Sequence, residues 1–435
     1  MFRFAVIGNF FLAVALVQTE TTCESPGSFY ICSTGGVLTE VTEYRHEDSL
    51  AIPHFDSVSI EPGAFKNLTI KTLSLICETQ TLTLQPGVFD GLTRLTDLEI
   101  RHSDVKLIPN LFQELNQLRT LELTGNMISH IPNGTFNGLS GLMVLKLDSN
   151  DLFTINQSTF YGLSELRTLK LGSNKIASIA SECFANYKKL DLLDLSGNNF
   201  KELEPNNFGR LPKLRLLNLN ANSKLTTINL SALIGLSSLQ TLYLEFNRIT
   251  DFDFSDSNGQ LPQLKHLRLC CNRNISHIRN GSFNGLPGLS YLILSHNGIS
   301  TIDKTAFNGL PNLETLYLGA NKIASIEPEF FANLMKLSHL DLSYNHLTEL
   351  KPNTFGEVKN LGTLCLSGNK IVTIDSNAFI GLSSLKVLEV DSSQISDFFF
   401  SDHSNKKLQH LKTLQIINNK INHIRDGTDV FSIPN

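Results

Sequence analysis

The sequence has no tryptophan, only four methionines and no cluster of lysine and arginine. Charged residues make up 18% of it, and acidic side chains outnumber basic ones 41 to 36, for a formal net charge of −5. A chain that grips a phosphate backbone carries concentrated positive charge, so nucleic-acid binding is not expected. Intrinsic disorder needs low hydrophobicity and high net charge; with 41% hydrophobic residues the chain meets neither condition. The enzyme signatures are missing as well: no G-x-S-x-G, H-E-x-x-H, C-x-x-C or G-x-x-x-x-G-K occurs. Twelve histidines are scattered without metal-ligand spacing. The chain is therefore read as a non-enzyme with no cofactor and no metal.

Long apolar runs are also missing, apart from one at the start. Phe4 to Val17 is interrupted only by Gly8 and Asn9, follows Arg3, and gives way to small or polar residues. That is the pattern of a secretory signal peptide, assigned to residues 1–19, and it is too short for a membrane span. No later stretch is long enough to cross a bilayer, and IRDGTDVFSIPN at the end lacks the tail of a lipid-anchor signal. The expectation is a secreted, extracellular product with no membrane span in this chain.

What the sequence has in abundance is one motif. L-x-x-L-x-L-x-x-N ends at Asn126, Asn150, Asn174, Asn198, Asn222, Asn247, Asn272, Asn297, Asn321, Asn345 and Asn369. LKVLEVDSS then has Ser393 in place of the asparagine, and LKTLQIINN restores it at Asn419. Weaker units end at Glu78 and Ser103, which makes fifteen units at steps of 23 to 26 residues. In such a unit the alternating leucines face one side of a short strand. One strand cannot bury that face alone, whereas stacked copies share a continuous core and a parallel sheet. The asparagine stands where the chain leaves the strand, and its amide can satisfy backbone groups that have no sheet partner there. Phe136, Phe160, Phe184, Phe208, Phe283, Phe307, Phe331, Phe355 and Phe379 recur in one frame and are expected to stack as an aromatic spine.

These residues resemble the leucine-rich repeat family, in particular the "typical" subclass of animal extracellular proteins. Toll-type receptor ectodomains and insect leucine-rich immune proteins are examples. The resemblance covers about residues 58–427. It implies an α/β-type solenoid, a curved horseshoe of about 15 repeats with a parallel sheet on its concave face, and it implies that this face binds other macromolecules. A second layer of repetition lies within it: residues 172–211 match 319–358 at an offset of 147, so a block of repeats has been duplicated.

Both ends depart from the family pattern. Residues 20–57 read as an N-terminal cap whose Cys23 and Cys32 suit a disulfide-closed hairpin. Residues 428–435 read as an uncapped tail, so either the open C-terminal coil pairs with another subunit or the natural chain continues. Cys77, Cys183, Cys270, Cys271 and Cys365 remain, readable as thiols packed between coils or as the source of an intermolecular bond in a homo- or hetero-dimer. The acidic stretch from Asp251 to Gly259 superficially resembles a calcium loop but lacks the distal glutamate. Its Phe252 and Phe254 instead fit the spine position.

Asn67, Asn133, Asn156, Asn229, Asn274 and Asn280 begin N-x-S/T glycosylation sites, all outside the ladder. The outward positions of the middle repeats hold Tyr243, Phe246, His266, Arg268, Tyr291, His296, Tyr317, His339 and Tyr344, flanked by the mixed charges of Glu122, Lys146, Lys170, Asp194 and Asp341. Rigid aromatics and arginine are favoured at binding hot spots, although aromatics also pack sideways in any parallel sheet. The function expected is a secreted binding protein that recognises a protein or glycan partner on the concave face. By resemblance, the process is innate immunity or cell-surface signalling. Two alternatives stand beside it: a receptor or adhesion ectodomain, and a secreted enzyme inhibitor.

Overall fold

From Thr120 onward each leucine motif forms a strand only three residues long. In Thr168–Lys170 the central Leu169 is buried and its two neighbours are half-buried on the outer face; Leu192–Asp194, Leu216–Asn218 and Thr241–Tyr243 repeat this. The protein is described here from a computed structural model, covering all residues except 1–4, 8–9, 13–19, 56–57, 78–80, 181–182, 256–260, 357, 400–407, 409, 422, 426–429 and 433–435. It divides into two compact units, Met1–Leu145 with Thr159–Leu163, and Lys146–Ser158 with Ser164–Asn435. The proposed signal peptide lies largely outside the described residues; within it Ala5–Ile7 pairs antiparallel with Phe10–Leu12.

In the first unit Thr21–Glu24, Phe29–Thr34 and Val37–Glu43 form an antiparallel meander, and a Cys23–Cys32 disulfide joins the first pair. Val37–Glu43 then pairs in parallel with Ser59–Ile60, so the meander continues into the repeats. The leucine strands Ser49–Phe55, Thr72–Cys77, Asp97–Arg101 and Thr120–Glu122 form a second, parallel sheet, aligning Leu50, Leu73, Leu98 and Leu121. This sheet starts at Ser49, inside the segment expected to be cap. SLAIPHF has no ladder asparagine, and its register shifts between Ile52 and Phe55, next to Pro53, so the motif is not legible there.

The second unit carries eleven parallel strands from Thr168–Lys170 to Thr413–Gln415, each in register with the next. Helical structure among its described residues is limited to short 3-10 turns such as Leu230–Leu233 and Pro328–Phe330; the return legs are otherwise turns. The α half of the expected α/β coil is reduced to these turns.

The ladder asparagines are placed as their chemistry requires. Asn198 donates to the Leu171 and Leu195 carbonyls at 2.9 and 3.0 Å and accepts from the Ile176 amide at 3.0 Å, so its one side chain ties two coils together. Asn222 and Asn272 are each followed by one extra residue before the next buried aliphatic, Leu225 or Ile275. The asparagine of the following coil compensates by bonding to their own amides, from Asn247 at 2.7 Å and from Asn297 at 2.8 Å. Ser393 stands in for asparagine with a hydroxyl bond to the Asn369 carbonyl at 3.4 Å.

The aromatic spine is present, and longer than expected. Phe89, Phe112, Phe136 and Phe160 stack in the first unit at 5.7, 6.4 and 6.2 Å. In the second, Phe184 stacks on Phe208, and Phe283, Phe307 and Phe331 form a run. Phe252 joins that run, 5.3 Å from Phe283, with Phe254 buried beside it. These two rings therefore belong to the core, and the remainder of the calcium-like stretch, from Asp256 on, lies outside the described residues.

Candidate functional site

Along the second unit's sheet the outer face presents two rows of side chains, one on each side of the buried leucine. Strand register places Thr241, His266, Tyr291, Thr315, His339 and Thr363 in one row. Tyr243, Arg268, Ile293, Tyr317, Asp341 and Cys365 occupy the other. The two rows interlock through rings. Arg268 lies over the Tyr243 ring at 5.0 Å, His266 meets Tyr291 edge-on at 5.8 Å, Tyr291 meets Tyr317 at 5.7 Å, and Tyr317 meets His339 at 5.0 Å. A continuous rigid surface results, since each ring is braced by a neighbour one strand away.

Phe246, His296 and Tyr344 belong to a third row, at the position before the ladder asparagine, and all three are exposed. Their backbones are left-handed, with φ of 58°, 55° and 53°. Ser149, Ser173, Ala221 and Ala320 share that conformation, so it is a property of the coil and no mark of function. It lets the amide reach the next coil, as from Tyr344 to the Ser367 carbonyl at 2.7 Å. The structure thus brings His266, Tyr291, Tyr317 and His339 into one connected group, with Tyr243 and Arg268 as a pair beside it. It sets Phe246, His296 and Tyr344 along the downstream ends of the same strands, with Cys271 and Ala320 between them.

A cavity of about 690 Å³ opens beside Tyr317, His339 and Tyr344, bounded farther on by Asp341, Glu389 and Asp391. Cys365 also lines it, and burial, then the carboxylates of Glu389 and Asp341, push its thiol up to about 12. Burial and Glu245 push the Cys270 thiol up too, and Cys183 rises to about 12 from burial alone. Reactive cysteines need the opposite, a depressed value in electropositive surroundings, so none of these three is poised as a nucleophile. Burial, more than its neighbours Arg268 and Lys265, holds His266 below its usual range, which favours the neutral ring. No group of three or more His, Cys, Asp or Glu among the described residues is arranged to hold a metal ion.

Asn67, Asn133, Asn156, Asn274 and Asn280 are exposed; Asn229 ends the strand Thr227–Asn229, and its side chain is outside the described residues. All six sequons lie off the leucine strands that carry the aromatic rows.

Sequence reading missed one feature entirely. No lysine/arginine cluster exists along the chain, yet Arg167, Lys189, Lys213 and Arg215 line one groove of about 380 Å³. These residues come from successive coils, and stepping along the repeat period would have found them.

The sequence profile of the leucine-rich repeat matches residues 69–128, 105–152, 116–176, 140–200, 188–249, 262–323, 311–371 and 336–395. A search of curated proteins finds no relative. Among solved structures the chain is similar to one of the Toll–Spätzle complex of Drosophila, at 18% identity and a TM-score of 0.66, covering 93% of this chain. The chain spans 59% of that structure's chain, and at this identity the likeness concerns the fold alone. It is also similar to an internalin of Listeria monocytogenes, at 26% identity, a TM-score of 0.53 and coverage of 71% of this chain and 83% of that one. A leucine-rich repeat protein of Leptospira interrogans matches at 26% identity and a TM-score of 0.54, covering 81% of this chain and 96% of its own.

Proposed function

Since the chain belongs to the leucine-rich repeat family, whose solenoids are protein-interaction scaffolds, we propose that it is a secreted binding protein recognising an extracellular protein through the aromatic sheet face of its second unit. The observation that carries this reading is the ring-to-ring contact from His266 through Tyr291 and Tyr317 to His339. It is flanked by exposed Phe246 and Tyr344 and by the adjoining cavity. Pre-ordered aromatics lose little entropy on contact and bury much area, which is what a binding hot spot needs. Secretion is supported by the apolar leader and by the Cys23–Cys32 disulfide, a bond that persists in oxidising compartments. The process proposed is innate immunity or cell-surface signalling. The Toll structure it resembles is described as a hub in Drosophila development and innate immunity. The raised thiols of Cys183, Cys270 and Cys365 argue against these three as the source of an intermolecular bond.

The test is a face swap. Tyr317→Lys, His339→Leu and Tyr344→Gly install the residues found 147 positions earlier, at Lys170, Leu192 and Gly197. Captured extracellular partners are compared for wild type and swap by biolayer interferometry. The partner's affinity should fall at least about 30-fold, a loss expected of one or more hot-spot residues. A partner held equally by both would remove this face from the proposal.

A further inference from the structure

The groove lined by Arg167, Lys189, Lys213 and Arg215 lies at the upstream ends of the strands, away from the downstream row of Phe246 and Tyr344. Arg167, Asp191, Arg215 and Gln240 immediately precede four adjacent strands, and backbone bonds of 2.8 to 2.9 Å link each to the next. Two residues earlier, Lys189 and Lys213 form a parallel tier. The lining is four cations, one carboxylate and three neutral polar side chains, with no aliphatic or aromatic side chain among them. Lys189 is held by Glu165 at 2.6 Å, and Arg215 makes a bidentate pair with Asp191. Arg167 and Lys213 are exposed and have no ion pair among the described residues.

This is a local surplus of positive charge on a chain whose net charge is −5. It is also confined to one copy of the internal duplication. At the offset of 147, Arg167, Lys189, Asp191, Lys213 and Arg215 correspond to Glu314, Lys336, Ser338, Asn360 and Gly362. The second copy folds into the same strands without the surplus, so the solenoid does not require it.

From this we infer that the groove binds a linear sulfated glycan. The chemistry decides between polyanions. A stable protein interface is built around an apolar core, and single-stranded nucleic acid stacks its bases on aromatic platforms; the groove offers neither. Cations in two tiers, repeated at the strand spacing, suit sulfates distributed along an extended chain, and the serine and glutamine side chains suit sugar hydroxyls. The site is separate from the aromatic face, so one chain can hold a protein partner while anchored to a sulfated matrix.

The test is chromatography of the full secreted chain on immobilised heparin at pH 7.4, followed by affinity measurements with a heparin dodecasaccharide. Wild type should be retained beyond about 0.15 M salt despite its net negative charge, with a steep salt dependence. The variant Arg167→Glu/Lys213→Asn/Arg215→Gly installs residues the duplicate already tolerates. It should bind at least about tenfold more weakly with a shallower salt slope, while its circular dichroism and its capture of the protein partner are unchanged. Lys336→Ala, outside the groove, should leave heparin affinity intact. Failure of wild type to be retained would overturn the inference. So would equal binding of the triple variant, of fully desulfated heparin, or of duplex DNA of matched charge. A face-swapped protein that loses its partner but keeps heparin separates this inference from the proposed protein-binding function.

Discussion

Residues 172–211 and 319–358 are two editions of one block, and comparing them separates what the coil needs from what it displays. The frame is the same in both. Asn198 and Asn345 each accept from an isoleucine amide at 3.0 Å and donate to leucine carbonyls of the preceding coil at 2.9 Å. Asp194 turns the chain by accepting from the amide and hydroxyl of Ser196 at 2.9 and 2.7 Å; Asp341 does so with Ser343 at 2.8 and 2.6 Å. The faces differ. Lys170, Leu192 and Gly197 become Tyr317, His339 and Tyr344, while Arg167, Lys213 and Arg215 become Glu314, Asn360 and Gly362. A buried leucine or asparagine answers to both neighbouring coils, so changing it costs stability; an outward residue answers mainly to solvent. The duplicated scaffold therefore leaves its surfaces free to diverge.

The largest effect should fall on the frame, and equally in both editions. Asn198→Ala and Asn345→Ala each strand one buried isoleucine amide, while the leucine carbonyls keep their bonds from the asparagines of adjacent coils, for a loss of about 1–3 kcal/mol in urea unfolding. Unequal losses would break the claim that the two frames are equivalent.

A smaller effect should distinguish the editions. Asp148 corresponds to Ser295, and burial, reinforced by Asp194, pushes its carboxyl above the ordinary 3.8 although the Gly172 amide donates to it at 2.9 Å. With the folded value raised, the folded state holds the proton more tightly than the unfolded one. Ionisation therefore costs stability as the pH climbs above 3.8, and the full cost persists at neutrality. Asp148→Asn keeps an acceptor and should stabilise by about half a kcal/mol at pH 7, allowing for partial solvent exposure. The gain should vanish near pH 3 in thermal melts at both values.

The smallest effect concerns the bidentate Arg215–Asp191 pair, which becomes Gly362 and Ser338 in the second edition. Exposed pairs contribute little, so Arg215→Ala should leave the melting temperature unchanged within error. A clear drop would mean that the groove residues serve the fold rather than a ligand.

Much of this was legible beforehand. The leucine ladder, the asparagine frame and most of the spine follow from a strict period, because a residue repeated in one frame must meet its own copies in adjacent coils. The Cys23–Cys32 bond could be read from local spacing behind an apolar leader that suggested an oxidising compartment. Other features could not. Ser49–Phe55 joins the sheet without a ladder asparagine, because strand pairing needs only its backbone groups and the inward Leu50. Phe65, Phe89 and Phe112 are buried in the first unit, with Phe89 and Phe112 stacking into the spine, where the weaker ladder had hidden the frame.

By itself the sequence determined that this chain coils, how often, and which side chains face inward, since burial of apolar surface at a fixed period admits one solution. Which outward residues meet was decided by tertiary structure. Lys189 and Lys213 lie 24 residues apart in the chain, and His266 and Tyr291 lie 25 apart, yet each pair comes from neighbouring coils. Only closure of each coil onto the next, at the spacing of hydrogen-bonded strands, converts those separations into a groove and an aromatic face.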